Sequence, residues 1–196
     1  MKNIFDFVPK TSISYIKSLL VDKKIIFLIK NKRKTKHGDF RITNDKKAII
    51  TLNKTKNKYQ FLITLLHEIA HYNTYIDHGI TVKPHGIEWK NNFRFLMFPM
   101  LKQTVFPNDI LDNLTNYMKN PKASTENDFN LIMSIKKYDF NMVSNFVFQL
   151  KEGDIFKTNN DKKYKFIRKR IKKVECIEVR SGKKYLFSPQ AEVQLV

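Results

Sequence analysis

An α+β fold follows from three features of this 196-residue sequence. Short β-type runs cluster in residues 25–53. A long apolar segment free of Gly and Pro fills residues 58–77. From residue 151 onward the chain breaks into brief β-rich stretches separated by turn residues. Strands gathered at one place and helices at another, without regular alternation, are the pattern of α+β architecture.

Taken in order, "TSISYIKSLL" predicts a short helix over 11–20, with Ile13, Ile16, Leu19 and Leu20 on one side. The runs "KIIFLIKNK", "GDFRIT" and "KAIITLN" predict three strands of one small sheet. "YQFLITLLHEIAHYNTYI" is apolar on most sides, as a helix inside a domain must be, and Gly79 is placed to end it. "IEWKNNFRFLMF" predicts a helix up to Pro99, and further helices are expected over 108–119 and 126–137. The last of these opens with Thr125 and Asp128 at capping-box spacing. After Leu150, "GDIFKT", "KYKFIRKR", "KVECIEV", "KYLFSP" and "AEVQLV" predict a small antiparallel barrel or sheet. Two domains are therefore expected, 1–150 and 151–196.

Composition narrows the function. Hydrophobic residues at 42% and sixteen Phe can fill a core, so wholesale disorder is disfavoured. The amino-terminal apolar stretch is broken by Asp6, Pro9 and Lys10, against a signal peptide, and no run approaches the roughly 18 apolar residues of a membrane span. One cysteine, Cys176, cannot form an internal disulfide or a cysteine zinc ribbon, so a reduced cytoplasmic setting without membrane contact is expected. Lys plus Arg outnumber Asp plus Glu by 37 to 18. An AT-rich genome would also favour Lys over Arg. The excess is uneven, however: +12 over 1–60, zero over 61–150 and +7 over 151–196. Basic ends around a neutral middle point to an anionic partner.

The neutral middle holds the chemistry. In "HEIAH", His67 and His71 lie four apart, so a helix projects both imidazoles from one face, and Glu68 is one step round. Two histidines hydrogen-bonded within a core would give the same local pattern. A catalytic zinc needs a third protein ligand and an open fourth place. His78 would sit at the end of the same helix. His85 and Glu88, in "HGIEWK", follow a reversal of the chain, and by geometry all three remain candidates, His85 foremost. His37 reads as a solvated or strand-edge residue, Cys176 as core, and Trp89 as a ring buried beside the helix, supporting His85.

"TLLHEIAH" followed closely by "HGIEWK", with "GDFRIT" and "AIITLN" upstream, resembles the SprT-like family of zinc metalloproteases over most of residues 10–100. The resemblance implies a zincin-like core of a small mixed or antiparallel sheet on an active-site helix. It also implies zinc on His67, His71 and His85, Glu68 as the catalytic acid/base, and protein substrates on or crosslinked to DNA. Tyr72 and Tyr75 are available to stabilise an oxyanion, though unplaced. The four-cysteine ribbon of many members is missing, as in a bacterial branch of the family. The basic tail is a candidate replacement for sequence-independent DNA binding, through Lys163, Lys165, Arg168, Lys169, Arg170, Lys172 and Lys173. Tyr164 and Phe166, interleaved with these cations, would either stack on single-stranded nucleic acid or fill the core from alternate positions of a strand. The alternative function is a nucleic-acid-binding accessory protein, tied to transcription, with a structural or inactive metal site.

Overall fold

The computed structural model describes residues 3–31, 33, 36–139, 145–158 and 160–196. The chain divides into two compact units, residues 1–139 and 140–196.

In the first unit, single 3-10 turns at Ile4–Phe7 and Lys10–Ser12 lead into helix α1 (Ile13–Leu20). Three strands follow: β1 (Ile25–Lys30), β2 (Gly38–Ile42) and β3 (Ala48–Asn53). Their spatial order is β1-β3-β2, with β1 parallel and β2 antiparallel to β3. The mixed sheet therefore leaves β2 as an edge strand. The long helix α2 (Lys58–His78) begins at Asn57, whose side chain accepts from the Gln60 N–H. The same side chain donates to the Ile135 carbonyl and to Asp139, so one cap also ties the start of α2 to the end of the unit. Phe61, Leu62, Ile63, Leu65, Leu66, Ile69 and Ala70 are all buried, which explains why no single polar face is visible in the sequence. Gly79 closes the helix with φ 63°, in the left-handed region where a side chain would be strained.

Helices α3 (Ile87–Met97), α4 (Asn108–Met118) and α5 (Phe129–Lys136) complete the unit. The expected capping box at Thr125 is corrected. Thr125–Asn127 forms a separate 3-10 turn, and Asp128 itself caps α5 by accepting from the Leu131 N–H. Two short caps in succession satisfy the helix start locally, so the chain can turn sharply there.

The second unit contains β4 (Asn145–Phe146), β5 (Ile155–Lys157), β6 (Lys163–Lys169), β7 (Val174–Glu178), β8 (Lys184–Phe187) and β9 (Glu192–Leu195). They form one sheet in the order β4-β9-β5-β6-β7-β8, and every pairing is antiparallel. Of the two expected forms it is the sheet: among the described residues no pairing joins β4 to β8, so no barrel closes. Val147 and Leu150, just before the change of texture read near residue 150, lie in this unit's core with Phe156, Tyr164, Phe166, Val174, Cys176 and Val193. Burial pushes the Cys176 thiol up to about 11, leaving it protonated and inert. No helix among the described residues is long and apolar enough to cross a membrane.

Candidate metal centre

Helix α2 presents His67 and His71 on one face, one turn apart, and the third imidazole comes from the loop before α3. His85 adopts φ 58°, a left-handed conformation that is uncommon outside glycine. The turn holding it is closed by the Gly86 N–H donating to the Lys83 carbonyl at 2.9 Å. This local strain aims the imidazole back at α2. The three Nε2 atoms lie 3.2 Å (67–71), 2.9 Å (71–85) and 3.2 Å (67–85) apart. Each neutral nitrogen carries either one proton or one lone pair, so three converging nitrogens cannot all satisfy one another. A tetrahedral zinc with bonds of about 2.0–2.1 Å separates its ligand atoms by roughly 3.3 Å, close to this triangle. The donor set fits a borderline cation such as zinc. Among the described residues His67, His71 and His85 form the group able to hold a metal; neither His78 nor Glu88 joins it.

Trp89 explains the triangle's rigidity. Its fully buried ring packs 4.7 Å from the His67 ring, 5.3 Å from His71 and 4.6 Å from His85 by centroids, and its Nε1–H donates to the His67 carbonyl at 3.4 Å. Phe93 packs against both, tilted to Trp89 and edge-on to His67. Removal from water holds the His67 pKa well below 6.5, with mutual repulsion from His71 and His85 adding to it. Burial and then His85 lower His71 to about 4, and burial lowers His85. All three are neutral at pH 7, with lone pairs available without loss of protons.

Glu68 occupies the floor of the adjoining cleft, of about 490 Å³. Its carboxyl is buried and its pKa is pushed up to about 8, chiefly by desolvation and then by Asp39. Arg33, Lys36 and a hydrogen bond from the Phe40 backbone N–H oppose the shift. A dication beside it would act in the same lowering direction. Gly38 is the unforeseen partner: a Cβ there would fall 2.5 Å from Glu68 Oε1, 2.8 Å from its Cγ and 2.8 Å from Thr64 Cγ2. Any side chain at the first residue of β2 must therefore displace the carboxylate. On a hydrolytic role for Glu68, Gly38→Ala is expected to retain metal while turnover falls about 100-fold, the scale of loss a 1 Å misplacement can cause. Under that role, unaltered rates in the variant would exclude close packing as Gly38's function.

His37, read as having no chemical role, lines the same cleft and contacts Glu126 at 3.0 Å between Nε2 and Oε1, across 89 residues of sequence. Ala123, Ser124 and Thr125 complete that wall. A Gly at a strand start was the one sequence signal available for Gly38, and nothing near His37 signalled Glu126. Tyr72 packs edge-on and Tyr75 tilted against Phe40, and neither lines the cleft.

In the second unit, the seven cations proposed for nucleic acid, Lys163 to Lys173, are all exposed, while Tyr164 and Phe166 point into the core. The rings interleaved with them serve packing, as strand alternation requires. Arg170 and Arg168 grip Glu175 and hold its carboxyl below the usual range.

These shifts set the pH dependence of the metal-free protein. Unfolded histidines take a proton near 6.5 while folded His71 waits until about 4, so the folded state binds fewer protons in between and loses stability as pH falls. Glu68 acts oppositely: its folded pKa of about 8 against 4.5 makes stability fall as pH rises toward 8. With His67 and His71 together outweighing Glu68 below 6.5, the urea midpoint in chelator should peak near pH 6.5. A midpoint flat from pH 4 to 8.5 would contradict the burial of these groups.

Residues 14–108 match the model of the SprT-like family. Neither the curated proteins nor the solved structures compared with this chain give a match. The matched stretch runs from the second residue of α1 to the first of α4 and contains all four residues His67, Glu68, His71 and His85, whereas α5 and the second unit lie beyond it. Over residues 14–108, then, the chain is similar to the SprT-like family, a likeness consistent with a metalloprotease.

Proposed function

We propose that the protein is a zinc-dependent endopeptidase of the SprT-like type, cleaving proteins bound or crosslinked to DNA in the cytoplasm. One observation carries the reading: three neutral imidazole nitrogens converge within 3.2 Å beside a buried carboxyl in an open cleft. Zinc, when bound by His67, His71 and His85, supplies Lewis acidity toward a carbonyl and makes water ionisable near neutral pH. Glu68 takes the proton of the attacking water as the new C–O bond forms. It then delivers that proton to the departing amine as the C–N bond breaks. A carboxyl whose pKa burial has raised suits both halves of this cycle. The Phe40 N–H and the bare face of Gly38 hold it in place. Gly38, Asp39 and Phe40 of edge strand β2 border the cleft, so an extended peptide can run beside them with main-chain hydrogen bonds.

The DNA component rests on charge: the lysine-rich ends attract phosphates without reading bases. An accessory role with a structural metal is less well supported, because structural zinc sites are closed by four protein ligands and this group among the described residues has three. The test is zinc content beside casein cleavage, with and without duplex DNA. One zinc per chain is expected, with cleavage abolished by chelation, restored by zinc and stimulated by DNA. Stoichiometric zinc without cleavage of casein or histones would transfer the protein to the accessory reading.

A further inference from the structure

The β6–β7 hairpin concentrates charge more than any other part of the second unit. Residues 163–173 carry seven cations and no acid. Alternation along β6 sends Tyr164 and Phe166 inward and Lys163 and Lys165 outward. After an irregularity in the pairing between Phe166 and Arg168, the chain reverses through Arg170–Lys173, where the Arg170 N–H donates to the Lys173 carbonyl at 2.8 Å. At the apex stands Ile171, 100% exposed. A β-branched apolar side chain wholly in water, bracketed by Arg170 and Lys172, contributes nothing to the unit's core.

The base of the tip is held firmly. Arg168 Nε and Arg170 Nε donate to the same Glu175 oxygen at 2.9 and 2.8 Å, and a second Arg170 nitrogen lies 2.6 Å from it. The Glu175 side chain is 4% exposed, while both arginines remain largely in solvent. One buried carboxylate thus fixes two guanidiniums without neutralising the site. Lys169, Lys172 and Lys173 have no acidic partner among the described residues.

We infer that this hairpin is a duplex-DNA-binding arm, with Arg168, Arg170, Lys172 and Lys173 on phosphates and Ile171 wedged against base pairs from the minor groove. Cations alone would suit any polyanion. The apolar apex is what selects, since minor-groove proteins insert single aliphatic wedges between base steps and bend the duplex. Tyr164 and Phe166 are the only rings in residues 163–178, and both are buried, so the arm offers no platform on which single-stranded bases could stack. An anionic bilayer is disfavoured because one Ile buries far less than a single acyl chain, itself a marginal anchor. From Lys163 to Lys169 strand β6 spans about 20 Å, enough to follow the backbone for over half of a turn of about 34 Å. The inference rests on the DNA-recruited form of the peptidase reading and is independent of the hydrolytic chemistry.

The test uses the full chain and a fluorescent 20-base-pair duplex of mixed sequence, with anisotropy measured across a salt series and end-to-end energy transfer reporting bending. Ile171→Ala is expected to bind about tenfold more weakly with an unchanged salt slope and to lose the bending signal. Lys172→Ala/Lys173→Ala should reduce the slope by about two. Both should cleave casein normally without DNA. The inference is overturned if the wild type does not bind the duplex, or if Ile171→Ala binds and bends it unchanged. Tighter binding to single-stranded oligo-dT, or to phosphatidylserine vesicles, has the same consequence. DNA binding that responds to these variants in a chain unable to cleave casein removes the peptidase reading alone. Normal cleavage with binding indifferent to both variants removes the hairpin alone.

Discussion

Glu68→Gln is expected to hold zinc as the wild type does while casein turnover falls by on the order of 10²–10⁴-fold, the range associated with loss of a general acid/base. Gln matches Glu in size, so it still fits against Gly38 and its carbonyl can still accept from the Phe40 N–H. The nitrogens of His67, His71 and His85 are untouched. Only the capacity to take up and return a proton disappears, because an amide does not titrate in this range. The variant also checks the burial argument: losing the acid whose pKa stands at about 8 should remove the decline in stability of the metal-free protein between pH 6.5 and 8. Zinc content by mass spectrometry, a casein assay and urea titrations settle all three points. Full proteolysis by Glu68→Gln would end the proposed acid/base role.

His85→Ala should do the reverse, losing the metal while the fold persists. His67 and His71 alone leave a two-nitrogen bite, and affinity should fall beyond the roughly 100-fold typical of losing an outer-shell partner. Glu88 is poorly placed to substitute, since its carboxylate packs beside Gly86, where Oε2 would lie 3.0 Å from an added Cβ. The fold should survive because His85 is partly exposed in a loop, and its left-handed backbone is a local strain that truncation to Ala leaves in place. His85→Gly would relieve that strain and should raise the stability of the metal-free chain by about 1 kcal/mol. Circular dichroism and zinc retention after a chelator wash provide the readout. Stoichiometric zinc on His85→Ala would show that another group completes the triad.

Much of this site was legible in the sequence because its parts are encoded in short windows. The spacing of His67 and His71, the missing helix breakers across Lys58–His78, the stop at Gly79 and the alternation of β6 each depend on neighbours within a few residues. The choice among His78, His85 and Glu88 was not local. It required a left-handed residue at 85 and the buried Trp89 ring, which His67 and His85 meet edge-on and His71 at a tilt.

The sequence by itself determined most of the helices and strands, though not β4 or the turn at Thr125–Asn127, as well as which face of α2 carries His67 and His71 and where charge accumulates, since periodicity and side-chain chemistry act along the chain. Only the tertiary structure decided that β1 and β3 run parallel so that β2 lies at the edge, that Gly38 presses on Glu68, and that Glu126 meets His37 across the cleft. Those outcomes follow from close packing between segments up to 89 residues apart, where fit in three dimensions selects among arrangements that local pattern leaves equally open.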